Sequence, residues 1–182
     1  MVTKVYETRI LAPVQKVWDF HSSADALKIL TPPGQEVTLL SKDNAVREGA
    51  IHIIQTKKFG LKIVWKAKIH GVQPPHGFTD TAIKSPFKSW THRHEFIDSE
   101  GETILRDTVT YTPPGGPFRK LINTLMIEEE IDKLFKYRHR VTKEMTETTA
   151  LVINPELIGK EGAHYEPFIP GADEPDPVPG SK

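Results

Sequence analysis

The sequence predicts an α+β fold in which a curved antiparallel sheet of about seven strands surrounds one long C-terminal helix. Two short helical patterns follow the first strand, and residues 34–112 then alternate between apolar and polar side chains with a period of two. The only long helical pattern comes last, at residues 118–147. Because an antiparallel sheet commonly buries one face, we expect the long helix to cover that face.

The N-terminal segment predicts a strand that leads directly into a short helix. The stretch VTKVYETRIL alternates like a strand and is followed by Pro13, which cannot continue a strand ladder but suits the first turn of a helix. Val14, Val17 and Trp18 then recur at helical spacing. A second short helix, at residues 24–30, is expected to end at TPPG because two prolines stop it.

Six further segments are typical of strands bounded by turn residues. They are EVTLL, GAIHIIQTKK, GLKIVWKAKIHGV, GFTDTAIK, SWTHRHEFI and TILRDTVTYT. The third shows apolar side chains on one face and lysines on the other, namely Ile63, Trp65, Ala67 and Ile69 against Lys62, Lys66 and Lys68. This alternation predicts a sheet that is buried on one side only.

The long helical pattern divides into two parts. Its apolar residues cluster first on one side, at Phe118, Leu121, Ile122 and Leu125. They then recur on nearly the opposite side, at Ile127, Ile131, Leu134, Val141 and Met145. We therefore predict a short lead-in helix, a solvated bend at residues 126–130, and a long helix packed on the sheet.

Length and composition predict one domain and a tail. The chain of 182 residues suits a single core, which we place at residues 1–149. Residues 150–182 contain few large apolar side chains and end in PGADEPDPVPGSK. Repeated proline with charge buries too little surface to offset chain entropy, so this Pro-rich acidic tail is expected to be extended or disordered.

Composition also excludes several functional classes. The 24 Lys and Arg residues balance 24 Asp and Glu residues, so bulk charge gives no reason to expect a nucleic-acid partner or an anionic membrane surface. The lack of cysteine excludes disulfides and thiolate catalysis.

No secretory signal and no run of about 18 apolar residues is found, so we predict a cytoplasmic protein with no integral membrane segment. The oligomeric state is left open.

The stretch KSWTHRHEF places two histidines between two large aromatic side chains. Alternation puts Trp90, His92, His94 and Phe96 on one side of the strand. The aromatic residues predict that this side is buried, so the histidines need polar partners within the core.

The last strand and the long helix are expected to supply those partners. Asp107 shares a face with Leu105, Val109 and Tyr111, which predicts that it points inward. Arg138 lies in the apolar seam of the helix, where an unpaired charge is costly. We therefore predict that Asp107 and Arg138 pair, with the two histidines bonded to them. Asp80, between Phe78 and Ala82, is a further candidate for this network.

Two interpretations of the polar network stay open. It is either a structural feature that fixes register, or the polar end of a ligand pocket between the sheet and the helix. The predicted pocket residues are Trp65, Phe78, Asp80, Trp90, His92, His94, Phe96, Asp107, Tyr111, Leu134 and Arg138.

The same residues allow two other kinds of chemistry. His92-x-His94 can present two imidazoles to one metal ion, with Asp107 or Asp80 as the third ligand, but without a clear third histidine we predict neither a metal nor a cofactor. An enzymatic alternative uses His92 or His94 as general acid or base, with Asp107 orienting the ring and Tyr111 donating to a carbonyl. The remaining histidines are expected to be solvent-exposed: His21, His52, His70, His76, His139 and His164.

Several segments together resemble the START-like (SRPBCC) superfamily, which includes polyketide cyclases, pollen-allergen-like proteins and coenzyme Q-binding proteins. They are ILAPVQKVWDFHSSADAL, LTPPG, SPFKSWTHRHEF, LRDTVTYTPPGGP and LFKYRHRV. The resemblance is nearest to bacterial ligand-binding proteins of the cyclase/dehydratase type. It implies a helix-grip fold with a deep cavity for a hydrophobic small molecule, such as a lipid, a quinone or a polyketide-like ring.

The resemblance leaves the activity open, because that superfamily contains carriers, enzymes and regulators. Three hypotheses follow: a carrier or binder of an apolar molecule, a cyclase or dehydratase working through a pocket histidine, and an interaction module acting through the Pro-rich tail.

Overall fold

A computed structural model describes residues 1–58, 60–116 and 127–147 of the chain. The elements occur in the predicted order: β1 (Val2–Ile10), α1 (Val14–His21), a 3-10 helix (Ala24–Lys28), β2 (Gln35–Leu39), β3 (Ile51–Lys58), β4 (Leu61–Gln73), β5 (Gly77–Lys84), β6 (Ser89–Ser99), β7 (Glu102–Thr112) and α2 (Glu128–Glu147). The expected lead-in helix and the Pro-rich tail lie outside the described residues.

The seven strands form one antiparallel sheet, which confirms the predicted fold class. Its order is β1-β7-β6-β5-β4-β3-β2, so the first strand pairs with the last. Register shifts in β4, between Lys66 and Ala67 and again between His70 and Gln73, interrupt its ladder with β5. Irregularities of this kind bend a strand and increase its twist, which helps the sheet to curve.

The predicted alternation of β7 is confirmed. Its buried residues are Thr103, Leu105, Asp107, Val109 and Tyr111, while the residues between them are half-buried. Asp107 therefore points into the core, as expected from its apolar neighbours on the same face.

The inner face of β1 holds helix α2 in place. Lys4 Nζ and Tyr6 Oη donate to the carboxylate of Asp132 at 2.7 and 2.6 Å. The ring of Tyr6 stacks on Phe135 with centroids 4.8 Å apart. Alternate side chains of one strand thus meet successive turns of the helix.

The buried face of α2 differs from the predicted seam. The buried side chains are Ile131, Phe135, His139, Val141, Thr142 and Thr146. Met145 is 47% exposed, and Leu134 is half-buried. The prediction is confirmed for Ile131 and Val141 and is wrong for Leu134 and Met145, because the contact stripe contains a histidine and two threonines, which a count of apolar residues ignores.

The start of α2 also corrects the predicted bend. Glu128, Glu129 and Glu130 form the first turn of the helix, where acidic side chains interact favourably with the helix dipole. Lys133 pairs with Glu129 at 2.8 Å one turn later. None of the described helices combines the length and the apolar character needed to cross a bilayer.

Candidate functional site

The candidate site lies where β5, β6 and β7 run side by side. Their register sets Asp80 opposite His92 on the neighbouring strand, and His94 opposite Asp107 on the next. Facing residues of antiparallel strands project from the same face of the sheet, so these four side chains meet on the inner face. The site is therefore a direct product of strand register.

The two histidines lie between two carboxylates. Their rings are 3.7 Å apart between centroids. His92 Nδ1 and His94 Nε2 each lie 3.3 Å from Asp80 Oδ2. The opposite nitrogens, His92 Nε2 and His94 Nδ1, lie 3.0 and 3.1 Å from Asp107 Oδ1, although their angles do not satisfy hydrogen-bond geometry. Each imidazole thus has a carboxylate at both of its nitrogens.

A third histidine, His139 on α2, completes the environment of Asp107. Its Nε2 lies 2.9 Å from Asp107 Oδ2, and its Nδ1 lies 2.9 Å from Thr8 Oγ1 on β1. The expectation that His139 is solvent-exposed is wrong, because only 4% of the residue is exposed. Its four-residue spacing from Phe135 is the sequence signal that could have placed it on the buried face.

Two further histidines that were expected to be exposed are also buried. His21 on α1 donates from Nδ1 to the carbonyl of Val17 at 3.0 Å, and its ring lies 6.2 Å from that of His94. His52 on β3 donates from Nε2 to the carbonyl of Ala45 at 3.1 Å. Burial lowers the pKa of His21 to about 4, and the nearby His94 acts in the same direction, so His21 is neutral at physiological pH.

The carboxylates and His92 shift each other's ionisation. Burial alone would raise the pKa of Asp107, but the neighbouring histidines outweigh this effect and hold it well below its usual range. Burial would likewise raise the pKa of Asp80, but the contacts with His92 and His94 outweigh it and lower the pKa. Burial would lower the pKa of His92, yet Asp107 and Asp80 raise it to about 9. At neutral pH the cluster therefore contains two carboxylates and the His92 imidazolium.

Arg138 does not make the predicted pair with Asp107. Among the described residues no carboxylate lies within ion-pair distance of its guanidinium, and its buried Nε has no hydrogen-bond partner. Its Cζ lies 5.5 Å from the centre of the Phe135 ring. Burial lowers the pKa of Arg138, while Asp107 and Asp80 act in the opposite direction. The pair fails because the next helix residue, His139, faces Asp107 instead.

Aromatic side chains border the polar cluster on two sides. Phe78 stacks on His94 with centroids 4.1 Å apart, and the ring of Phe96 lies 5.1 Å from His21. On the helix side, Phe135 meets His92 edge-to-face at 4.9 Å. The cluster therefore lies where the two apolar clusters of the core approach each other.

The other predicted wall residues form a neighbouring aromatic group. Trp90 packs against Trp65 at 5.5 Å and against Tyr111 at 5.8 Å, with Phe87 between them. The structure thus joins the predicted residues Phe78, Asp80, His92, His94, Phe96 and Asp107 in one cluster. It places Trp65, Trp90 and Tyr111 beside that cluster.

A separate groove of about 620 Å³ opens at the other end of the sheet and contains none of these residues. It is lined by Leu40, Ser41, Lys42, Asp43, Arg47, Glu48, Gly49, Ala50, Ile51, Ile53 and Lys66. We place the candidate site at the histidine cluster because buried ionisable groups converge there, whereas the groove is open to solvent.

Comparison with known proteins identifies relatives of this architecture. The sequence profile of the family described as "Polyketide cyclase / dehydrase and lipid transport" matches residues 10–135. Protein CV1439 from Chromobacterium violaceum superposes with a TM-score of 0.65 at 14% identity, over 80% of this chain and 96% of that chain. No curated protein matches the sequence.

Two further solved structures are informative. The Zhui aromatase/cyclase from Streptomyces sp. R1128 superposes with a TM-score of 0.62 at 11% identity, over 82% of this chain and 95% of that chain. A nucleoside-diphosphate sugar epimerase from Corynebacterium glutamicum gives 0.54 at 25% identity, over 78% of this chain but 28% of that longer one. These superpositions confirm the helix-grip fold that the sequence predicts.

Proposed function

Because the chain belongs to the polyketide cyclase / dehydrase and lipid transport family, we propose that it binds an apolar small molecule carrying an anionic or carbonyl oxygen. Lipids, quinones and polyketide-like rings have this chemistry. The apolar part of the molecule contacts the aromatic side chains around the histidine cluster, and its oxygen pairs with Arg138. The observation that carries the proposal is the guanidinium of Arg138, which is held beside Phe135 without a counter-ion.

The guanidinium of Arg138 lies beside Phe135, and its Nε has no hydrogen-bond partner among the described residues. Arg138 is half-buried, and this Nε is fully buried. Removing part of a charge from water costs free energy that an ion pair normally offsets, and the described residues supply no ion pair to Arg138. Two residues further along α2, Arg140 is exposed and pairs with Glu144 at 2.8 Å. Arg138 is thus the arginine of this helix whose side chain lacks a partner in the described structure. An oxygen of a ligand would provide a charge-assisted hydrogen bond there.

The neighbouring side chains suit the apolar part of such a molecule. Sites for small molecules are commonly lined by aromatic side chains with a few polar groups that fix orientation. Here Phe78, Phe96 and Phe135 border the cluster, and Asp80 and His94 are partly exposed, with 21% and 13% of their side chains accessible. The cluster thus combines an apolar wall with a polar end.

The proposal is tested by displacing a fluorescent fatty acid from the purified full-length protein. Arg138→Gln should weaken binding of the carboxylate by about 10-fold, which corresponds to about 1.4 kcal/mol. Arg140→Gln is the matched control and should bind as the wild type does. A fatty alcohol of the same length should bind equally to all three proteins if Arg138 contacts the carboxylate. The absence of saturable binding across fatty acids, quinones and polyketide analogues would reject the proposal.

A second candidate function is proton transfer in a cyclase or dehydratase reaction. It is favoured by the pKa of about 9 for His92, which keeps a general acid protonated at neutral pH. Replacing His92 or His94 with glutamine should then shift the pH profile of turnover. Saturable binding without turnover of a polyketide-like substrate would leave the carrier function in place and reject this one.

The third alternative assigns the function to the Pro-rich tail, which lies outside the described residues. A protein truncated after residue 149 distinguishes it from the carrier. The carrier should keep its apolar ligand after truncation, whereas a tail-driven module should lose its partner.

A further inference from the structure

We propose that Asp80, His92 and His94 bind one divalent transition-metal ion. Suitable ligand atoms from these three residues all lie within 4.8 Å of one another. The inference does not depend on the apolar ligand, because it uses only the side chains of two neighbouring strands. It revises the prediction from sequence that the site takes no metal.

The distances in the cluster suit a shared ion. His92 Nδ1 and His94 Nε2 each lie 3.3 Å from Asp80 Oδ2, which is longer than the usual hydrogen bond. Two atoms that are each about 2.1 Å from one ion, at the angles of a tetrahedral or octahedral site, lie about 3.0–3.4 Å apart. Each histidine nitrogen is therefore already spaced from Asp80 Oδ2 as two ligands of one ion would be, and the whole ligand set lies within 4.8 Å.

A carboxylate, that of Asp107, lies beside both rings on the side away from Asp80. A metal-bound histidine usually donates its second ring nitrogen to a carboxylate, which fixes the ring orientation and strengthens its ligand nitrogen. Asp107 Oδ1 lies 3.0 Å from His92 Nε2 and 3.1 Å from His94 Nδ1. Asp107 is itself held by His139 at 2.9 Å. One carboxylate oxygen thus lies within ion-pair distance of the far nitrogen of both ligand histidines.

The ligand set indicates which ions fit. Two neutral imidazoles and one carboxylate suit Zn²⁺ or Fe²⁺ and are a poor site for Mg²⁺ or Ca²⁺, which prefer oxygen ligands. Binding of the ion would release the proton that His92 holds in the metal-free protein. Three protein ligands leave at least one coordination position free for water or another molecule. Asp80 and His94 have 21% and 13% of their side chains exposed, so an ion can reach the site from this side.

The experiment titrates the tag-free, full-length protein with Co²⁺ and Zn²⁺ after treatment with a chelator. We expect one equivalent of Co²⁺ to bind with a visible absorption band, and Zn²⁺ to displace it. Asp80→Asn and His94→Gln should each weaken Zn²⁺ binding at least 10-fold. No apolar ligand is added, so the outcome is separate from that of the binding experiment above.

The matched control is His70→Gln. His70 is a partly exposed histidine on β4 that contacts Thr81, the neighbour of Asp80 on the opposite face of β5. This variant should bind the metal as the wild type does. Circular dichroism checks folding, and if one ligand variant fails to fold, the other carries the test. Wild-type protein without stoichiometric binding, or equal affinity in His94→Gln, Asp80→Asn and His70→Gln, would overturn the proposal.

Discussion

His139 and Asp107 join the C-terminal helix to the last strand through a contact of 2.9 Å between Nε2 and Oδ2. Both side chains are almost fully buried, and Asp107 also faces His92 and His94. This carboxylate is therefore the negative charge shared by three imidazoles. Its removal is expected to affect the whole cluster.

Asp107→Ala should destabilise the protein by about 3–5 kcal/mol, because removing one partner leaves buried polar groups without compensation. Urea unfolding monitored by tryptophan fluorescence measures the change. Glu144→Ala is the control, since Glu144 pairs with Arg140 on the exposed side of the same helix and should cost less than about 1 kcal/mol. Similar losses in the two variants would contradict the role assigned to Asp107.

Phe135→Ala should cost about 3–5 kcal/mol, because the ring is fully buried and its removal creates a cavity. Met145→Ala should change stability little, since that side chain is 47% exposed. The same unfolding experiment compares them. If Met145→Ala were the more damaging variant, α2 would be rotated toward the seam predicted from sequence.

Gly77→Ala should be strongly destabilising, since a Cβ at this position would lie 2.1 Å from the carbonyl oxygen of His94. The backbone φ of 142° is also one that side-chain-bearing residues rarely adopt. Gly49→Ala has a positive φ of 78° but open space around the added carbon, so it isolates the effect of the clash. The expected order of thermal midpoints is wild type, Gly49→Ala, then Gly77→Ala, and the reverse order of the two variants would count against the close strand contact.

Asp132→Asn should remove about 1 kcal/mol or less at neutral pH, because Asp132 is partly exposed where it accepts from Lys4 and Tyr6. Burial alone would raise the pKa of Asp132, but these two bonds outweigh it and lower the pKa. A carboxyl group whose pKa is lowered by folding stabilises the folded state at pH values above its unfolded-state pKa of about 3.9. This stabilisation is lost as the pH falls through its folded-state pKa.

The stability difference between wild type and Asp132→Asn should therefore be full above about pH 4 and shrink below it. Urea unfolding at pH 7 and pH 3 checks this direction. Asp98→Asn, at an exposed position on β6, controls for the general effect of acid. A difference that grows on acidification would show that the sign is wrong.

The strands could be predicted from sequence because their alternation of apolar and polar residues matches the buried and exposed faces of the sheet. In β7 every second residue is buried, so Asp107 was placed inward by the apolar residues on either side. The pairing of Asp80 with His92 required the register between β5 and β6, which alternation alone does not determine.

The helix contacts could not be predicted in the same way. The contact stripe of α2 includes His139, Thr142 and Thr146, which hydrophobic periodicity does not count. A difference of one residue along a helix turns a side chain by about 100°, and this separates Arg138 from Asp107. Such rotations determine which polar groups a buried charge contacts, whereas its burial can be inferred from the spacing of the apolar residues around it.

The pairing of β1 with β7 has a consequence for synthesis of the chain. Val2 lies opposite Tyr111, so β1 can pair only after β7, which is synthesised much later, has left the ribosome. Contacts between such distant residues close large loops and slow the search for the native state. We therefore expect the sheet to be completed only after most of the polypeptide has emerged, and chaperones that protect unpaired strand edges should bind nascent chains lacking β7 more readily than the finished protein.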